Sequence, residues 1–223
     1  MPELIDRFNW VGRPYLELFA PATCIEQSRI LVEVLPEFGA KAEALECSLK
    51  VDCPALRLVY IAGATAQDRA RGKAKVDDWI DLGTRGDDAD QIHVAVAAEI
   101  AGQFYLLDPT FSQASMPDRG LTIPRHVLAV GPLSQRPAPG TMIDAGLVLD
   151  GGTEVKASWI MRESRDFERT PAWEPSHLWP LIHRLVREMN WAACVECSRN
   201  AGVARQYERD QLAAQEFLRG SRG

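Results

Sequence analysis

Three residues of this chain have the types and the spacing for covalent acyl chemistry: Cys24, His93 and Asp108. A thiol attacks carbonyl carbon as its thiolate, and an imidazole can take the proton and return it. A carboxylate on the far ring nitrogen orients that imidazole and stabilises its charged form. Such a trio calls for a particular setting of each member. For Cys24 the setting is a helix start. Thr23, with Glu26 three positions on, forms a capping box that places Thr23 at the N-cap and Cys24 in the first turn. The unpaired N–H groups of that turn favour the ionised sulfur and can receive a developing oxyanion. Behind it Leu31, Val34, Leu35 and Phe38 recur at helical steps, so a helix is expected from Thr23 to Phe38, with Pro36 late in it and Gly39 as its stop.

His93 and Asp108 fall on two strand-like runs, Ile92 to Ala98 and Gln103 to Leu107, joined by a short turn. A turn centred between Ile100 and Ala101 sets His93 directly opposite Asp108. One centred on Ala101-Gly102 makes them diagonal neighbours. Both registers leave them on one face of the sheet. Their neighbours Val94, Ala95, Val96, Leu106 and Leu107 are apolar, and a charged pair among such residues needs a reason. The plainer alternatives are an inert buried thiol and a satisfied polar pair at a strand end.

These pieces, in this order, resemble the transglutaminase-like branch of the papain-like cysteine enzymes. The matching segments are Cys24-Ile-Glu-Gln-Ser28 with its helix, His93-Val-Ala-Val, and Tyr105-Leu-Leu-Asp108-Pro-Thr110. The Cys-x-Glu opening and the order are also similar to arylamine N-acetyltransferases. The likeness spans roughly residues 20 to 115, about half the chain. It implies a papain-like α+β fold, with the Cys helix packed on an antiparallel sheet, and a Cys24-His93-Asp108 triad working through a thioacyl intermediate. No glycine pair precedes Cys24, where Pro21-Ala22-Thr23 stands, and no cofactor is implied. The expected activity is acyl transfer or amide hydrolysis on a peptide, amide or thioester substrate. A catalytically silent scaffold acting as a binding module is the alternative. The second oxyanion donor is open, with Gln27, Asn9 and Trp10 as candidates.

The rest of the chain must position these residues. Leu45, Cys47, Leu49 and Val51 alternate with polar residues as a half-buried strand, and Leu56 to Ile61 reads as another. Residues 64–91, rich in charge, glycine and alanine around an island at Trp79, Ile80 and Leu82, read as an exposed connection; Arg85 to Asp90 within them is a solvated loop. A long loop runs from Pro109 to Pro124, a strand from His126 to Val130, and a last hairpin turns at Asp150-Gly151-Gly152. Beyond Pro175 the stripe Leu178, Leu181, Ile182, Leu185, Val186 and Met189 is helical. Gly202 interrupts it, and a polar helix runs to about Leu218. The expected division is a catalytic core over 1–170 with a helical extension over 171–223.

Other reactive side chains have quieter readings. Cys194-Val-Glu-Cys197 lacks the second pair a zinc site requires, and His177 and His183 are out of phase with it. Cys47 belongs to a buried strand face, Cys53 stands at a strand end, and His126 has no acid nearby in sequence. Trp173, Trp179 and Trp191 are expected to anchor helices on the sheet.

An apolar fraction of 46% in 223 residues suffices for a real core. The formal charge of −6, with no cluster of Lys and Arg, argues against nucleic acid as a partner. No run of apolar residues is long enough for a membrane span, and no export leader opens the chain, so the expected location is the cytoplasm. Five cysteines, an odd number, fit reduced thiols there.

Overall fold

The apolar runs become strands and the striped segments become helices. The computed structural model describes residues 3–16, 24–63, 79–81, 92–149 and 151–198. Its strands are β1 (Lys41–Cys53), β2 (Leu58–Ala62), β3 (Trp79–Asp81), β4 (His93–Ile100), β5 (Gln103–Asp108), β6 (Leu128–Leu133), β7 (Met142–Val148) and β8 (Glu154–Met161). Its α-helices are α1 (Glu3–Leu16), α2 (Cys24–Val34) and α3 (Trp179–Ser198). The chain is therefore α+β. The strands form one sheet in the order β3-β2-β1-β4-β5-β6, with β8 joined to β1 and β7 to β8. Every pair is antiparallel except β2 with β3.

β1 is the hub because it is long. Its first half pairs with β4 from Lys41 to Cys47, while its second half pairs with β2 and β8. The sheet curls until it is nearly a barrel: Trp159 on β8 touches Asp108 on β5, although β1 and β4 lie between them. Two cores result. Outside the curl, Val96 and Ala98 of β4 pack with Ile30, Leu31 and Val34 of α2, with Ile5, Phe8 and Val11 of α1, and with Leu178, Ile182, Leu185 and Met189 of the C-terminal helical region. Inside it, Cys47, Leu49, Ala95, Ala97, Leu106, Phe111 and Trp159 fill the space. With both faces of β4 covered, its sequence is apolar almost throughout instead of alternating.

Several boundaries differ from the sequence expectations, each for a local reason. The Cys helix is α-helical only to Val34. Pro36 cannot donate to the ladder, so Leu35–Phe38 tightens into a 3-10 turn that ends on Gly39 at φ 76°. β1 extends well beyond Leu45 to Val51, because both of its faces are covered from Ala44 to Leu49 and the period of two fades. Trp79 and Ile80 are part of a strand, not of a connection; the remainder of residues 64–91 lies outside the described residues, as do Gly202 and the polar helix beyond it. The loop after Pro109 holds two 3-10 turns and a bridge from Met116 to Leu121. The strand expected from His126 begins at Leu128 and continues through Pro132. α1 drew no expectation from the sequence, although Ile5, Phe8 and Val11 form its buried stripe. Among the described residues no helix is long and apolar enough to cross a membrane.

Candidate active site

The hairpin register decides how the imidazole and the carboxylate meet. Ala98 pairs with Tyr105 and Val96 with Leu107, so the turn is Ala101-Gly102, with φ values of 50° and 76° at its two residues. Asp108 is thus the diagonal neighbour of His93, on the same inner face. The diagonal is short enough for a bond: His93 Nε2 donates to Asp108 Oδ2 at 2.9 Å.

Asp108 is held from three sides. The Trp159 indole Nε1–H donates to the same Oδ2 at 2.8 Å, and the Thr110 backbone N–H donates to Oδ1 at 3.0 Å. The second of these bonds explains the local sequence. A carboxylate that captures the N–H two residues on makes an Asx turn, and Pro109 between them has no N–H to compete. With both oxygens engaged the carboxylate cannot swing away from the imidazole.

Burial opposes charge on both partners, and their pairing overrides it. Burial drives the His93 imidazolium down, but the Asp108 charge and hydrogen bond, with a further contribution from Cys24, raise it from 6.5 to about 10. Burial likewise pushes the Asp108 carboxyl up, yet His93, Trp159 and the Thr110 N–H together hold it below its usual range. At neutral pH the pair is therefore imidazolium and carboxylate, a buried charge pair joined through Nε2.

Cys24 approaches from α2. The pairing of β5 with β4 starts at Val96, so the carbonyls of Ile92 and Val94 lie beyond its reach. Side chains of α2 take them up: Ser28 Oγ donates to Val94 O at 3.0 Å and Cys24 Sγ to Ile92 O at 3.6 Å. The fit is geometric, since four helical residues rise about 6 Å and two strand residues span nearly the same length. Cys24 lies near enough to the His93 ring to contribute to the rise of its pKa. In the present geometry the thiol is directed to Ile92 O, and the other ring nitrogen, Nδ1, is buried without a well-formed hydrogen bond. Of the three residues Cys24 retains the most exposure, 5%, against 1% for His93 and 0% for Asp108.

Two residues the sequence did not single out complete this arrangement. Trp159 is one; a buried indole N–H needs an acceptor, but nothing in sequence says that the acceptor is Asp108, 51 positions away. Gly63 is the other. Its φ is +64°, and a Cβ there would collide with the Cys47 carbonyl and stand 2.7 Å from the His93 backbone nitrogen. Gly63→Ala is accordingly expected to lower stability by about 2–4 kcal/mol, through strain and the displacement of His93; urea unfolding measures it, and a loss below about 0.5 kcal/mol would show that the contact is not tight.

The remaining candidates are placed as follows. Thr23, and with it the capping box, lies outside the described residues. Asn9 is committed elsewhere, its amide bonding both the N–H and the C=O of Val127, which removes it as an oxyanion donor. Trp10 is exposed on α1, and Gln27 is buried in the first turn of α2. His177 bonds Glu26 at 3.1 Å, and His183 stacks on Trp179. Trp173 packs edge-on against Phe167. Cys47 and Cys53 are buried. Burial pushes the Cys47 thiol well up from its usual range, and Asp108 and Cys24 push it further. The side chains of Cys194 and Cys197 lie outside the described residues, and no group of three potential metal ligands is gathered among those described. No protein-family model, curated protein or solved structure matches the chain.

Proposed function

We propose that this protein is a thiol-dependent acyltransferase or amidohydrolase in which Cys24 is the nucleophile, His93 the acid and base, and Asp108 the residue that orients His93. The observation that carries the reading is the buried Asp108–His93 bond at Nε2, combined with a buried Nδ1 without a well-formed hydrogen bond and a Cys24 sulfur held at the carbonyl of the preceding residue, Ile92. Those are the two sides an acid–base imidazole needs, one fixed by Asp108 and one that holds the proton taken from the thiol and passes it to the leaving group.

In the proposed reaction Cys24 attacks as the thiolate of a thiolate–imidazolium pair, its proton held on His93 Nδ1, and the sulfur forms a bond to the carbonyl carbon of an amide or thioester while the C=O π electrons move to the oxygen. The oxyanion is received by N–H groups of the first turn of α2. The bond to the leaving amine or thiol then breaks as that group takes the proton from His93 Nδ1. Water or an amine, deprotonated by His93, attacks the thioacyl carbon and frees Cys24. The resemblance to transglutaminase-like and papain-like enzymes belongs to this proposal, as do a core over 1–170, an extension over 171–223 and a cytoplasmic location.

Incubation with short acyl thioesters followed by peptide mass spectrometry tests it. The expected result is an acyl adduct on Cys24 that hydroxylamine removes. Adducts spread over all five cysteines, or none, would contradict it. A second reading, a silent scaffold that serves as a binding module, is favoured by the burial of Cys24, and it is the reading that stands if no adduct forms.

A further inference from the structure

We infer that two copies of this chain associate through the free edges of their β7 strands, paired antiparallel about Ala145. β7 hydrogen-bonds only to β8 among the described strands. Leu149 donates to Thr153 O, and Met161 donates to Thr141 O, so the odd-numbered residues of this strand turn their backbone toward β8. Met142, Asp144, Gly146 and Val148 then present N–H and C=O groups to the open side. β7 itself carries no proline, lysine or bulge to blunt that edge. The edge formed by β6, in contrast, carries Pro132 and a register shift in its pairing with β5.

The side chains favour a second copy in one register. Met142 and Val148 are exposed by 61% and 73%, and Ile160, cross-strand from Met142, is exposed as well. Inward-facing Ala145 and Leu147 are only half-buried, so the described residues leave the core partly uncovered along this edge. Symmetric pairing about Ala145 sets Met142 against Val148 of the second copy, Ile143 against Leu147, and Asp144 against Gly146. All seven residues pair, apolar meets apolar, and the one charge meets a glycine. Pairing about Asp144 would oppose two carboxylates, which is repulsive. Pairing about Gly146 would shorten the overlap and face Asp144 with Val148. The even-numbered residues oppose one another in the Ala145 register, as hydrogen bonding requires.

Gly146 offers a clean test, because a Cβ added there meets open space and its φ is not in the left-handed region. Sedimentation equilibrium of the full chain at low salt should show a dimer. Gly146→Asp should weaken it about tenfold or more by opposing Asp144 across the axis. Gly146→Lys should not weaken it, and Asp144→Lys combined with Gly146→Asp should restore it, with circular dichroism confirming the fold of each. A monomeric wild type, an unchanged dimer in Gly146→Asp, or equal weakening by Asp and Lys at 146 would each overturn the inference.

Discussion

Asp108→Ala is expected to remove about 3–5 kcal/mol of stability, the usual cost of stranding one member of a buried charge pair. Three donors lose their acceptor at once: His93 Nε2, the Trp159 indole and the Thr110 N–H. The imidazole is affected most. Its elevation to about 10 depends on Asp108 outweighing burial, so without the carboxylate burial prevails and the His93 pKa drops below its ordinary 6.5. The ring then turns neutral, and nothing selects the tautomer with the proton on Nε2. Urea unfolding reports the first effect, and an NMR titration of the His93 ring reports the second. A variant within about 1 kcal/mol of wild type would show the pair to be energetically idle.

The same pair is expected to make stability fall as the solution becomes alkaline. A group whose folded pKa is raised holds its proton more tightly in the native state. The stability from His93 is thus complete below 6.5, the value of a free imidazole, and is lost as pH rises through about 10. Asp108 acts in the opposite sense. Its lowered pKa contributes stability above the free-carboxyl value of 3.8 that is lost as pH falls below it. Both contributions are complete between 3.8 and 6.5. Between about pH 6 and pH 9.5 the unfolding free energy should drop by about 3–4 kcal/mol, as linkage requires for a shift of this size. In His93→Gln that part of the slope should vanish. A wild-type profile as flat as the variant's would mean that His93 is not charged in the native state.

The His93–Asp108 meeting and the helix that starts at Cys24 were legible in sequence because each residue leaves a local mark. Cys24 opens an apolar-periodic segment, His93 opens a strand, and Asp-Pro-Thr ends the next one with its own turn chemistry. Period and turn length narrowed the hairpin to two registers, and only the structure distinguishes them, because backbone preferences at Ala101 and Gly102 decide where the turn sits. What escaped depends on the curl of the sheet. Trp159 reaches Asp108 only because β8 wraps back toward β5, and Gly63 matters only because β2 ends where β1 and β4 pair at Cys47 and His93. Such meetings are set by the whole set of strand pairings, which no local pattern carries. α1 escaped for another reason: its stripe is thin, and Gly12 and Pro14 weaken the helical reading.

The catalytic reading stands or falls on how Cys24 reacts. Brief iodoacetamide treatment of the folded protein at neutral pH, followed by peptide mass spectrometry, ranks its cysteines directly. Cys24 is expected to be alkylated well before Cys47 and Cys53, and His93→Ala should slow that alkylation while leaving the other sites unchanged. Labelling of Cys24 no faster than of the buried Cys47, or at a rate indifferent to His93, would contradict its role as the nucleophile.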